Sequence, residues 1–205
     1  QQKEVMGTFS EIKSDNQKNI NLAYEEIDRI NSIMSIYSDE TELSKLNREK
    51  QIDASEELNY IIDKSVYFSI ITEGSFDVTI LPVLNLYKKT FSESNRPPTD
   101  EELKKEMEKI GHNNIIKQDN SITLINNASI DLGGIAKGYA IDKALEKLDT
   151  GIVNIGGDIA IKGTKHYTIA LVNPDNKNEF ITKFSIKEGC IATSGNYERY
   201  FDKSR

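Results

Sequence analysis

Apolar residues at 20, 24, 27, 30 and 34 (Ile20, Tyr24, Ile27, Ile30, Met34) recur at three- and four-residue steps and predict an amphipathic helix. Ahead of it, residues 5–14 alternate weakly and read as one strand. In MSIYSDETELSKLN, Ser38, Asp39 and Thr41 mark a turn before a short second helix. Ser55 caps a third helix, with Glu56 and Glu57 in its first turn, where the helix dipole favours negative charge. Leu58, Ile61, Ile62, Val66 and Ile70 form its apolar face, and Gly74 ends it. FDVTILPVLNLY is apolar, β-branched and interrupted by Pro82, so it is expected to be a strand end or an extended segment. Thr99 and Glu102, after Pro97 and Pro98, have the spacing of a capping box. Leu103, Met107 and Ile110 are expected to face inward, with Gly111 as the stop. Residues 114–118 and 121–125 read as a hairpin around Asp119 and Asn120. A helix at about 134–148 precedes strand patterns at 152–155, 158–162, 167–173, 180–186 and 190–193. Helices come early and strands late. The expected class is α+β, a mixed or antiparallel sheet core with the early helices packed on it.

The length of 205 residues, with 37% hydrophobic and 29% charged residues, suits one globular domain over 1–205. A net charge of -7 argues against broad binding to nucleic acid. The single cysteine, Cys190, excludes an internal disulfide. Two histidines, His112 and His166, and one cysteine make a zinc site of the His/Cys kind improbable, and neither histidine sits in a triad-like setting. Acid-base and metal chemistry therefore falls to carboxylates, hydroxyls, lysines and backbone. The start QQKEVMGTFSEI, without Met, is expected to be a processed or engineered terminus. The stop at YERYFDKSR is expected to be a truncation.

SIDLGGIAKGYAIDKAL (129–145) carries the most chemistry. A short strand ends at Asp131, a turn with Gly133 and Gly134 follows, and a helix opens with Lys137 in its first turn. Glycines let backbone approach a ligand closely, and a helix N-terminus offers unpaired amides to an anion. Phosphate is the natural ligand class. On spacing alone a glycine turn with a solvated lysine is the favoured reading, since the spacing matches neither common nucleotide-binding glycine motif. VNIGGDIAIKG reads as a hairpin around Gly156 and Gly157. Thr193, Ser194 and Gly195 either line a pocket or make a turn, and Asp77 either caps or binds.

Five blocks, in this order, resemble the FAD:protein FMN transferase family (ApbE-type flavin transferases). They are VMGT, MSIYSDETELSKLN, GSFDVTILP, DLGGIAKGYAID with VNIGGDIAIKG, and IATSGNYERYF. The resemblance implies an ApbE-like, T-fold-like architecture and Mg²⁺-dependent transfer of FMN from FAD to a threonine or serine hydroxyl of a target protein, releasing AMP. The alternatives are an FAD pyrophosphatase giving FMN and AMP, and a non-catalytic flavin-binding protein or inactive fragment. The resemblance places Met6, Tyr37, Ser75, Phe76 and Asp77 around the flavin and adenosine parts, Asp131 on the nucleotide, and Lys137 at the phosphate end. Ser194 falls in a pocket-lining loop, and the Gly134 carbonyl at a metal-ligand position. The catalytic base and remaining metal ligands are expected beyond Arg205. Family members are commonly exported, so an extracytoplasmic, lipid-anchored precursor is expected.

Overall fold

A computed structural model describes residues 1–176 and 178–195. Strands β1 (Gln2–Val5) and β2 (Thr8–Lys13) precede helix α1 (Gln17–Met34). Helix α2 (Glu42–Glu49), strand β3 (Gln51–Asp53) and helix α3 (Glu56–Ile71) follow. Next come helices α4 (Leu81–Ser94) and α5 (Asp100–Met107), then strands β4 (Ile115–Gln118) and β5 (Ser121–Leu124). Helix α6 (Ala136–Glu146) leads into β6 (Gly151–Ile155), β7 (Asp158–Lys162), β8 (Tyr167–Val172), β9 (Phe180–Ile186) and β10 (Gly189–Ile191). The class is α+β, and all strand pairs within the sheets are antiparallel.

The described residues divide into two compact units, 1–30 with 137–195, and 31–136. The first holds a five-stranded sheet in the order β1-β2-β6-β7-β10 and the separate β8-β9 hairpin. Ile152, Ile159 and Ile161 form a core cluster there, covered by Tyr167, Ile169, Ile186 and Ile191. On α1, Tyr24 is 1% exposed, and its hydroxyl donates to the Gln1 carbonyl at 2.9 Å. Burial pushes its phenol above the ordinary range. The second unit holds the sheet β3-β5-β4. Its buried residues include Leu43 and Leu46 of α2, Leu58, Ile61 and Ile62 of α3, and Ile122 of β5.

The apolar spacing of α1 predicts its buried face correctly, since Ile20, Tyr24, Ile27, Ile30 and Met34 are all buried. Ser55 caps α3 by accepting from the Leu58 N–H. The Gly74 N–H returns to the Ser69 carbonyl at 2.8 Å after the helix has ended. The hairpin at Asp119 forms with Gln118 opposite Ser121.

Three expectations need correction. Residues 5–14 are not one strand but the β1-β2 hairpin, because Met6 and Gly7 take φ of 49° and 68°, a two-residue turn of the primed type. The run after Ile80 is not extended but helical. Pro82 stands in the first turn of α4, where its missing N–H costs nothing and its fixed φ suits the helix. Met107 does not face inward: it is 60% exposed, and α5 buries no residue. That short helix is held instead by its ends. Thr99 and Glu102 form the full capping box, and Arg96 grips the Glu102 carboxylate with two hydrogen bonds of 2.8 Å.

Two predictions follow from these contacts. Arg96 and the Thr99 amide hold the Glu102 carboxyl at a pKa of about 2. A carboxyl depressed by folding stabilises fully above its ordinary range and loses that contribution as pH falls through about 2. Carbon-detected NMR titration should find that midpoint, and Arg96→Met should return it toward the ordinary value. Gly151 has φ +155°, and a Cβ there would collide with the Lys13 carbonyl. Gly151→Ala should therefore cost about 2 kcal/mol or more in a urea melt.

Candidate functional site

In the second unit the site is built outward from residues 128–131. The Asn47 side chain pairs with both backbone groups of Ile130. Its Nδ2 donates to the Ile130 carbonyl at 2.8 Å, and its Oδ1 accepts from the Ile130 N–H at 2.7 Å. Lys50 Nζ donates to the Ala128 carbonyl and Ser129 Oγ at 2.8 and 2.9 Å. Burial, with a smaller effect from nearby Lys109, pushes the Lys50 ammonium below its ordinary range. The Asp131 N–H donates to the Val78 carbonyl at 2.8 Å, and Ser129 bridges Ile80. Asp131 is thus delivered to the turn by backbone that has little freedom.

At the turn, Asp131 Oδ1 accepts from the Gly133 N–H at 2.6 Å. A Cβ on Gly133 would lie 2.8 Å from that oxygen, and one on Gly134 would lie 3.1 Å from the Phe76 ring. Close approach, rather than positive φ, is what a side chain would meet at both positions. The result is an exposed stretch of bare backbone at the entrance to α6, with Phe76 beside it.

Phe76 and Asp77 lie in a loop that the carboxylate of Asp77 holds together. Oδ1 accepts from the Thr79 N–H at 2.9 Å and from Thr79 Oγ1 at 2.6 Å, while Oδ2 accepts from Ser69 Oγ at 3.1 Å. Ser69 Oγ also meets His112 Nδ1 at 3.2 Å, and the Gly111 N–H donates to Thr79 Oγ1 at 2.8 Å. With the Ser69 hydroxyl donating to Asp77, the Nδ1–H tautomer of His112 is the one that can donate to Ser69 Oγ. Asp77 thus holds the loop ahead of α4 together, while α4 itself starts after Ile80 without a side-chain cap. Ser75 is exposed beside it. Tyr37 is 80% exposed, with Lys88 Nζ 5.7 Å from its ring centre. It borders an open cleft of about 390 Å³ lined also by Asn47, Arg48, Asn85 and Ser129.

In the first unit, one end of the five-stranded sheet gathers a second set. Met6 and Gly7 form the β1-β2 turn. Gly156 and Gly157, with φ of 62° and 96°, form the β6-β7 turn. The Gly156 N–H donates to the Phe9 carbonyl at 2.8 Å, and Asn154 Oδ1 accepts from the Gly157 N–H at 3.0 Å. Lys137 is not a free cation: its Nζ pairs with Asp158 Oδ2 at 2.6 Å. Thr193 Oγ1 lies 3.5 Å from the Gly157 carbonyl, and Ser194 is exposed just beyond it.

The structure thus groups Phe76, Asp77, Asp131 and Gly134 in one unit, with Tyr37 on that unit's cleft, and Met6, Lys137 and Ser194 in the other. Sequence reasoning missed Asn47, Lys50, Ser69, His112 and Asp158. Asn47 closes one of the blocks singled out from the sequence, and Asp158 follows the GG pair of another. Neither position has a local pattern that reveals a partner more than 20 residues away. For a metal, the described residues offer little. No group of three His, Cys, Asp or Glu is arranged to hold an ion among them. The Gly134 carbonyl and Asp131, one of whose oxygens serves Gly133, fall short of the six oxygens that Mg²⁺ prefers. Among the described residues, no helix is long and apolar enough to cross a membrane.

The sequence and the fold have counterparts among known proteins. The model of the ApbE family matches residues 6–205. A FAD:protein FMN transferase of Haemophilus influenzae is 31% identical over 88% of the chain, and one of Vibrio cholerae is 32% identical over 97%. The chain spans 60% and 66% of the length of these two relatives. The crystal structure of an ApbE protein from Thermotoga maritima superposes with a TM-score of 0.90 at 31% identity, covering 98% of this chain and 72% of that one. The flavin transferase ApbE from Vibrio cholerae gives 0.80 at 25% identity, covering 96% and 71%. The chain belongs to the ApbE family.

The turn geometry makes a prediction of its own. Gly133→Ala should be the more damaging glycine change, because the new Cβ displaces the Asp131 carboxylate. Gly134→Ala meets only the edge of Phe76, so adding Phe76→Leu should recover most of its loss in melting temperature. A thermal melt of the two single variants and the double variant checks this.

Proposed function

We propose that the chain carries the FAD-binding part of a FAD:protein FMN transferase, which moves FMN from FAD to a threonine or serine hydroxyl of a target protein and releases AMP. Membership of the ApbE family and the activity for which its relatives are named support the reading. The structural observation that carries it is the turn at 131–134. There a fixed carboxylate stands beside exposed glycine backbone at a helix entrance, a combination suited to a nucleotide with an adjoining pyrophosphate.

In this reading Asp131 keeps one oxygen on the Gly133 amide and presents the other to a hydroxyl or amine of the nucleotide. The amides at the start of α6, with Lys137, stabilise negative charge on the pyrophosphate. The acceptor hydroxyl attacks the phosphorus on the FMN side. Its P–O bond forms, the pyrophosphate bridge breaks, AMP leaves with the bridging oxygen, and the hydroxyl proton passes to a base. The family resemblance also carries Mg²⁺ as a partner of the phosphates. The described residues do not make up a site for it. An extracytoplasmic, lipid-anchored setting belongs to the same proposal, and cell fractionation with labelled fatty acid tests it.

Incubation with FAD, Mg²⁺ and a threonine-bearing acceptor protein, followed by mass spectrometry, tests the activity. A flavinylated acceptor supports it. Free FMN and AMP without flavinylation would assign a pyrophosphatase instead, and intact bound FAD a binding module. Asp131→Ala should weaken FAD affinity roughly tenfold, because the nucleotide group it serves is left unpaired. Equal affinity in the folded variant removes Asp131 from the site.

A further inference from the structure

We propose that Asp158 is a positioning residue for Lys137, holding its ammonium in one place and competing for it with the bound pyrophosphate. The inference rests on the functional reading above. An ordinary surface Lys–Asp pair joins two mobile side chains and contributes little. This pair is built differently. The two side chains are 33% and 21% exposed, and Nζ stands 2.6 Å from Oδ2. Among the described residues, Asp158 is the only ion-pair partner of Lys137.

Asp158 itself has little room to move. It is the first residue of β7 and sits opposite Ile155 across the two-glycine turn. Asn154 fixes that turn through the Gly157 N–H, Phe9 fixes it through the Gly156 N–H, and Thr193 stands against Gly157. A Cβ on Gly157 would lie 3.0 Å from Thr193 Oγ1, and one on Gly156 would lie 3.0 Å from the Thr8 side chain, so the turn is enclosed on two sides. These contacts concern backbone and neighbours, and none of them uses the Asp158 carboxylate. The carboxylate is left to the lysine.

The chemical consequence is a split between binding and turnover. With its charge already paired, Lys137 grips the ground-state anion less firmly than a free lysine would. It is held where charge grows as the bridge oxygen leaves. Removing the carboxylate charge frees the lysine to cling to any phosphate, and at the same time loosens its aim.

Asp158→Asn tests this in the full chain, with inorganic pyrophosphate and FAD as probes. The Lys137 ammonium should give a sharp proton–nitrogen NMR signal in the parent protein and a broadened one in the variant, with the melting temperature little changed. Affinity for both probes should rise roughly two- to fivefold, the range of one partly exposed charge pair. Turnover of FAD should fall roughly tenfold, and only where Lys137 is present, so that a Lys137→Met background abolishes the effect. Asp158→Ser, whose side chain cannot reach Lys137, should reproduce each result. Weaker affinity together with equal losses of stability in Asp158→Asn and Lys137→Met would reduce the pair to a structural ion pair and overturn the proposal. Pyrophosphate affinity that ignores Asp158→Asn while FAD turnover is normal also overturns it and leaves the transferase reading standing. The expected pyrophosphate and NMR changes in a protein that fails to bind FAD would sink the FAD-binding reading and keep the assignment of Asp158.

Discussion

The contact on which the second unit's site depends is the pairing of the Asn47 amide with Ile130. Ile130 is 0% exposed, so its backbone N–H and carbonyl cannot turn to water. No regular strand lies there to receive them. A primary amide, one donor beside one acceptor, replaces the missing strand neighbour with a single side chain. Everything downstream inherits its position from that pairing, including the Asp131 amide on Val78, the Asx turn on Gly133 and the bare backbone before α6. The demand reaches back into α2. Thr41 must cap that helix, and Lys50 must end it at φ 65°, for Asn47 and the Lys50 ammonium both to reach residues 128–130.

Much of the fold is legible in local patterns, because caps, turns and apolar steps are local physics. Thr99 with Glu102 and Ser55 with Leu58 are examples. The misreadings have local causes too. Pro82 in an apolar run looks like a strand breaker, while a helix accepts proline in its first turn. The Met6 turn hides because a methionine at positive φ is an uncommon choice for a primed hairpin. The glycine turn of the candidate site is legible in the sequence, but its surroundings are not. The glycines at 133 and 134 announce a close approach, yet only the structure identifies Asp131 and Phe76 as what they approach. Asn47 and Asp158 act through partners far along the chain, and periodicity carries no trace of such pairs.

In each of the two units the acidic side chains singled out above are occupied by partners within the protein. Asp77 accepts three hydrogen bonds from Thr79 and Ser69. Asp131 spends one oxygen on its own turn, and Asp158 faces a lysine. These carboxylates hold loops and a cation in register.

The division of the chain has a consequence for how the molecule is made. Among the described residues the unit over 31–136 is continuous in sequence, and all of its strand pairings lie within that span. The other unit is not continuous. Ser10 of β2 pairs with Ile155 of β6, so the first hairpin must wait, with one edge unpaired, until most of the chain has been synthesised. Closing so long a loop is slow, and an open strand edge invites pairing with other chains in the interval. Nascent molecules should therefore be most vulnerable to aggregation after the continuous unit is complete and before β6 emerges, and holding chaperones should bind over that interval of translation.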